Sequence, residues 1–157
     1  MYTVTNQVGD QYFFKDSEYL NLHRDAGPAV IYANGDTAWY QDNRVHRDAG
    51  PAVEYADGGF CFFKNGKLHR EAGPAVVQKG VMEAWYSENT KHRVDGPAVT
   101  YYNSNIKVWY KKGLIHREDG PAIEDPNSIA TSWWLNGICF KTEEEFKTQL
   151  TKLRNEL

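Results

Sequence analysis

The sequence has little with which to staple itself, cross a bilayer or hold a polyanion. Its only two cysteines, Cys61 and Cys139, lie 78 positions apart. They make neither a disulfide framework nor a metal-ligand pair. No run approaches the roughly 18 apolar residues of a membrane helix. The opening Met1-Tyr2-Thr3-Val4-Thr5 lacks the basic and apolar succession of a signal peptide. Cations are not in excess: 18 Lys and Arg face 21 Asp and Glu, for a net charge of −3. That excludes the broad basic footprint of a nucleic-acid binder. Aromatics, by contrast, reach 14% of the chain, too many for a disordered protein. The expectation is one soluble, cytoplasmic domain spanning 1–157, large enough to fold without staples and with no cofactor, nucleic-acid or membrane partner.

What the sequence does have is a repeat. His23-Arg24-Asp25-Ala26-Gly27-Pro28-Ala29-Val30 returns in frame at His46, His69, His92 and His116, in steps of 23, 23, 23 and 24 residues. All five histidines and five of the six prolines sit in this phrase. Midway between copies stands an aromatic phrase: Ala38-Trp39-Tyr40, Cys61-Phe62-Phe63, Ala84-Trp85-Tyr86, Val108-Trp109-Tyr110 and Ser132-Trp133-Trp134. The extra residue of the longer copies falls in the loop before the aromatics, where insertions do least harm.

Each unit therefore predicts two short strands. Pro-Ala-Val-x-Tyr alternates as a half-buried strand does, with Val30 and Tyr32 on one side and Ile31 on the other. Turns such as Asn34-Gly35-Asp36 and Asp57-Gly58-Gly59 tolerate the positive φ of tight hairpins. The aromatic strand follows, then a second turn such as Asn65-Gly66. The whole is an all-β fold: an elongated, twisted antiparallel sheet of consecutive hairpins over 23–140. Residues 1–22 form an imperfect half-unit cap, because Phe14 lies nine residues from His23 rather than six. A capping α-helix is expected over 142–157. Thr142 with Glu145 is a capping box, and Phe146, Leu150, Leu153 and Leu157 make an apolar stripe at helical spacing.

A 23-residue hairpin repeat resembles the MORN repeats. The His-Arg-x-x-Gly-Pro-Ala form is similar to a MORN-like variant of phage, giant-virus and bacterial proteins. The closing Leu135-Asn136-Gly137 and Thr142-Glu143-Glu144-Glu145-Phe146 resemble how that group ends. The likeness spans about 11–157. It implies the elongated sheet, a non-catalytic role and a viral origin. The Tyr-x-Gly pattern of ordinary MORN units is missing, so their lipid-binding and membrane-skeleton roles do not carry over.

The recurring His-Arg pair admits several readings. Equivalent histidines should stand two strand spacings apart, about 10 Å, too far to share a metal whose ligand bonds are about 2 Å. No Ser or Cys nucleophile recurs at a fixed offset, which argues against an enzyme. The structural reading has His satisfying backbone groups at the Gly-Pro turn and Arg interlocking with neighbouring acids from unit to unit. The alternative is an anionic nucleotide held by Arg24, Arg47, Arg70, Arg93 and Arg117. Arg93 is the candidate with most freedom, since Val94 replaces the first acid there.

Alternation puts Trp39, Phe62, Trp85, Trp109 and Trp133 on one face and Tyr40, Phe63, Tyr86, Tyr110 and Trp134 on the other. In-register stacking between units would pack one row, and the other would meet solvent, a partner or a second copy. Cys61 takes a small-residue slot and Cys139 an apolar slot equivalent to Val45, Leu68 and Ile115. The resulting expectation is a non-catalytic protein-interaction module, its most specific form a phage-encoded inhibitor of a host enzyme or defence component, with a homodimer also compatible. The expected partner-binding residues are departures from the repeat, Gln78, Lys79, Val81, Tyr102 and Asn105, together with Trp39, Trp85 and Trp109.

Overall fold

The computed structural model describes residues 1–128 and 132–156. Leu157 of the expected helical stripe, and residues 129–131 of the last lengthened loop, lie outside the described residues. The N-terminal segment supplies β1 (Tyr2–Thr5) and β2 (Gln11–Phe14). The first unit supplies β3 (Val30–Ile31), β4 (Thr37–Ala38), β5 (Tyr40–Gln41) and β6 (Arg44–Val45). The second supplies β7 (Val53–Glu54), β8 (Phe60–Cys61), β9 (Phe63–Lys64) and β10 (Lys67–Leu68). The third supplies β11 (Val76–Gln78), β12 (Met82–Ala84), β13 (Tyr86–Ser87) and β14 (Thr90–Lys91). The fourth supplies β15 (Val99–Tyr101), β16 (Ile106–Val108), β17 (Tyr110–Lys111) and β18 (Leu114–Ile115). The last has β19 (Ile123–Glu124), β20 (Trp133–Leu135) and β21 (Ile138–Phe140), followed by helix α1 (Glu143–Asn155).

Eleven strands join in one antiparallel sheet, ordered β1-β2-β3-β4-β7-β8-β11-β12-β15-β16-β19. Its ten inter-strand steps of about 4.8 Å stretch it to roughly 48 Å. The other strands pair inside their own units as two-stranded ribbons, such as β5 with β6 and β9 with β10. The aromatic residue stands between the two systems. Trp39 donates its N–H to the carbonyl of Ala52 in the next unit at 2.8 Å, while its own carbonyl accepts from His46 at 3.0 Å. Phe62, Trp85 and Trp109 do the same. Each aromatic is therefore a corner at which the chain leaves the long sheet and turns into its ribbon. The sequence pattern predicts one continuous aromatic strand. The chain breaks there because successive backbone groups of a single residue are claimed by different partners.

The corner decides where the core lies. The register Val30↔Ala38, Val53↔Cys61, Val76↔Ala84 and Val99↔Val108 lines one face of the long sheet with small and branched residues. The ribbons fold onto that face, so Tyr86, Tyr110 and Ile115 pack with Val76, Met82, Ile106 and Ile123 around Ala84, Val99 and Val108. The alanine of each Gly-Pro-Ala is the tightest point: Ala29, Ala52, Ala75, Ala98 and Ala122 are all 0% exposed. A larger side chain there would overpack the corner.

Both ends adapt this plan. Phe13 is the N-terminal corner, donating to the Ala29 carbonyl at 2.8 Å and accepting from His23 at 3.0 Å. The segment thus has both strands of a long-sheet hairpin, while its ribbon shrinks to the Phe14↔Leu22 bridge. The additional residues of its loop put Tyr19 against Phe14 and Tyr2. At the other end α1 begins at Thr142, whose hydroxyl accepts the Glu145 N–H at 3.2 Å. Glu145 reaches back to the Lys141 N–H, one residue before the cap. Acids in the first turn and bases in the last favour the helix dipole. Phe146 and Leu150 then bury against Leu135, Trp133 and Phe140, which closes the last hairpin.

Candidate interaction surface

The recurring arginines are held by the protein's own rings and carbonyls. Each guanidinium lies over the corner ring of the preceding aromatic phrase: Arg24 over Phe13, Arg47 over Trp39, Arg70 over Phe62, Arg93 over Trp85 and Arg117 over Trp109, at 3.9–4.0 Å. Its Nη1 donates to the proline carbonyl four residues on, at 3.0–3.2 Å. The glycine before that proline closes the other side. A Cβ on Gly96 would stand 3.1 Å from the Arg93 Cζ, and one on Gly73 2.8 Å from that of Arg70. Arginine is thus sandwiched between ring and glycine, which is why the phrase needs Arg, Gly and an aromatic together. In the last unit Phe146 of the helix meets the corner ring Trp133, with centroids 4.9 Å apart.

These contacts correct the expected aromatic row. Trp39, Trp85 and Trp109 are half-buried and each is met by a cation, so stacking ring on ring between units is not what packs them. The expected Arg ladder is corrected too. Arg47 pairs with Glu54 at 2.9 Å, and Arg117 with Asp119 at 2.9 Å and Glu124 at 2.6 Å, all within their own units. Burial works against the Arg117 charge, but Glu124 and Asp119 outweigh it and raise its pKa. Among the described residues Arg24, Arg70 and Arg93 have no carboxylate within 4.0 Å. Arg93 is therefore not singular, because the acids that follow Arg24 and Arg70 turn to His23 and His69 instead.

Histidine joins successive ribbons. Each ribbon turn has positive φ at two successive residues, such as Asn65 and Gly66 or Asn136 and Gly137, which directs both N–H groups toward the end of the preceding ribbon. The first donates to a histidine Nδ1 there: Asp42 to His23, Asn65 to His46, Glu88 to His69, Lys112 to His92 and Asn136 to His116, at 3.0–3.3 Å. The second donates to a backbone carbonyl of the preceding ribbon segment, as Gly66 does to Val45 at 2.9 Å. The partner of His is thus the turn of the ribbon that follows it, 19 or 20 residues on, not the Gly-Pro turn beside it. With Nδ1 accepting, Nε2 is the proton-bearing atom, and it donates to Asp25, Asp48 and Glu118 at 2.9–3.1 Å.

Lysines supply the charge pairs between units, Lys15 with Asp42 at 3.1 Å and Lys67 with Glu88 at 2.9 Å. They hold both carboxyls below their usual pKa. Lys111 and His116 do the same for Glu118, and Arg117 for Asp119. A groove of about 600 Å3 between the last two His-Arg phrases is lined by Arg93, Trp109, Lys111, Arg117, Glu118 and Asp119. Within it Lys111 pairs with Glu118 at 3.1 Å and Arg117 with Asp119, while Arg93 has no carboxylate partner among the described residues.

The departures from the repeat gather elsewhere, on the tips of the long-sheet hairpins. In the first two tips an Asp carboxylate accepts the next tip's N–H, Asp10 from Ala33 at 2.8 Å and Asp36 from Ala56 at 2.7 Å. The Ala33 N–H, with Asn6 beside it, lowers the Asp10 pKa. At the β11–β12 and β15–β16 tips this bond is replaced: the Tyr102 N–H donates to the Val81 carbonyl at 2.8 Å. The Tyr102 hydroxyl donates to Glu83 at 2.7 Å, and that bond pushes its pKa up to about 12. Val81 and Tyr102 remain 44% exposed side by side. Gln78, Lys79 and Asn105 are exposed on the same two tips. Five of the eight expected partner residues therefore form one patch, and the three tryptophans do not belong to it. Glu83, which orients Tyr102, was not marked by the repeat, because its contact spans two units.

Cys61 is buried beneath Tyr55, whose hydroxyl lies 3.8 Å from the thiol. Burial, with Cys61 beside it, pushes Tyr55 up to about 12, and burial also raises the Cys61 pKa. Cys139 is exposed, correcting the expected apolar slot. Val45, Leu68 and Ile115 are half-covered because another ribbon follows theirs, and none follows β21. No candidate metal group of three or more His, Cys, Asp or Glu occurs among the described residues, and none of their helices is long and apolar enough to cross a membrane. In comparisons with known proteins, no family model, curated protein or solved structure matches the chain.

Proposed function

We propose that the chain is a non-catalytic repeat protein that binds another protein through the tips of its third and fourth units. The observation that carries this reading is the break in tip chemistry at Val81 and Tyr102. Two adjacent hairpins abandon the Asp-to-backbone bond of their predecessors. They present a valine and an oriented tyrosine, each 44% exposed, instead. An aromatic with a fixed hydroxyl beside an aliphatic neighbour has the composition of an interface anchor. The sequence likeness to MORN-like proteins of phages and giant viruses supports the more specific form, a viral protein that blocks a host enzyme or defence component. The arginine row is less suited to a nucleotide. Each guanidinium face already covers a ring, and its Nη1 is already bonded to a proline carbonyl.

A photo-crosslinking residue at position 102 tests this reading in lysate of the expression host. The expected result is one recurrent partner band, identified by mass spectrometry, that disappears in Val81→Asp and Glu83→Gln variants with unchanged melting temperature. A partner whose capture survives both substitutions would overturn the assignment of this patch. A nucleotide mass in native spectra that is lost in Arg93→Ala would replace the reading with ligand sequestration.

A further inference from the structure

We infer that two copies of this chain associate head to head through strand β1, in one antiparallel register centred on Val4. This inference is independent of the tip patch. It starts from the backbone. Phe13 donates to Ala29 and accepts from His23, so both of its polar groups face away from β1. In the register Thr3↔Phe13, with the alternation of an antiparallel ladder, Tyr2 and Val4 therefore bond inward to β2. The next inward bond, from the Asn6 N–H to the Asp10 carbonyl, continues that alternation. The N–H and C=O of Thr3 and Thr5 consequently point outward from the first strand of the sheet, and no partner for them occurs among the described residues.

Such an edge is usually protected by lysine, proline, a bulge or an inward charge. This one has none of them. Residues 1–9 carry no charged side chain. The first acid, Asp10, is occupied by Asn6 and the Ala33 N–H, and the first lysine is paired with Asp42. All four residues of β1 are exposed, and Tyr, Thr and Val favour strands. A second copy related by a two-fold axis satisfies the outward groups in one register. Thr3 of one copy and Thr5 of the other exchange their N–H and C=O bonds, and Val4 meets its own symmetry mate. Val4 then falls on a non-hydrogen-bonded pair, where side chains approach closest. It lies on the face that carries Tyr2 and, opposite it, Tyr12. No like charges face one another in this pairing, so the edge is electrostatically self-compatible. At the opposite end Ser132 bridges Ile123 of β19, and α1 covers the β20–β21 ribbon. The contact is isologous and stops at two copies rather than growing into a filament.

Sedimentation analysis of the full chain across about 1–200 µM reads this directly, because the 18.0 kDa species should shift toward twice that mass with concentration. Thr3→Pro removes an outward N–H that the monomer does not use, and edge positions tolerate proline. Val4→Lys opposes two cations at the axis. Each should weaken association at least tenfold while the melting temperature stays within a few degrees. In a Cys139→Ser background, Val4→Cys should form a disulfide-linked dimer under mild oxidation and Thr3→Cys should not. A chain that remains monomeric at 200 µM overturns the inference. So does a dimer indifferent to both Thr3→Pro and Val4→Lys, or equal crosslinking at positions 3 and 4. If Val4→Lys unfolds the chain, Thr3→Pro and the cysteine pair still decide it.

Discussion

Replacing Gly96 by alanine isolates the sandwich that each unit repeats. The new methyl would stand 3.1 Å from Cζ and 3.3 Å from Nε of Arg93. That guanidinium is pinned 4.0 Å above Trp85 and bonded to the Pro97 carbonyl at 3.2 Å. The φ of Gly96 is not in the left-handed region, so alanine adds no backbone strain, and any cost arises from the displaced arginine. A partly desolvated cation–π contact contributes about 1–2 kcal/mol, and a charged donor to a carbonyl about 1.5–3 kcal/mol. Arg93 is part-exposed, so Arg93→Ala should cost about 3 kcal/mol rather than the full sum. Gly96→Ala loosens both contacts without abolishing them and should cost about 1–2 kcal/mol. In the Arg93→Ala background the methyl meets no guanidinium. The substitution should then be neutral or stabilise by about 0.5 kcal/mol, through the lower entropy of the unfolded chain. Urea titration followed by tryptophan fluorescence, on the wild type, both single variants and the double variant, measures the coupling. Equal costs of Gly96→Ala in the two backgrounds would refute the sandwich. Gly73→Ala is the informative contrast. There φ is +141° and the approach to Arg70 is 2.8 Å, so part of its cost should persist without the arginine.

Two further outcomes follow from the thiols and the carboxylates. With iodoacetamide under native conditions Cys139 should be alkylated within minutes, while burial and a raised pKa keep Cys61 protected until denaturant is added. Mass spectrometry of the time course checks this, and equal rates would contradict the buried placement of Cys61. Asp42, Glu88, Glu118 and Asp119 have folded pKa values below their unfolded ones, so their contribution is present above about pH 4.5 and is lost as pH falls through the depressed values. The melting temperature should therefore fall modestly below about pH 4, the pairs being exposed, and a Glu118→Gln variant should lose less in that window than the wild type; an identical acid limb would refute the pairing.

The repeat, its hairpin character and the terminal helix were legible in the amino-acid sequence, because these rest on spacing within one unit. Five Gly-Pro-Ala phrases at steps of 23 or 24 residues, recurrent turn residues and Thr142 with Glu145 are local signals, and local geometry suffices to read them. The Val81 and Tyr102 tips were also legible, as breaks in an otherwise regular pattern. Only the tertiary structure decided what the shared phrase is for. His46 receives its bond from Asn65 in the turn of the following ribbon, and Trp39 gives one to Ala52 of the next unit. Alternation along a strand says nothing about a corner that splits it between two sheets, so the aromatic row reads as open when Trp39, Phe62, Trp85 and Trp109 are each covered by an arginine and Trp133 by Phe146. The tip patch likewise gains its oriented hydroxyl from Glu83 in the neighbouring unit. A repeat announces what each unit contains, but every unit here is completed by its neighbour, and hydrogen bonds between units have no signature in the sequence of either one.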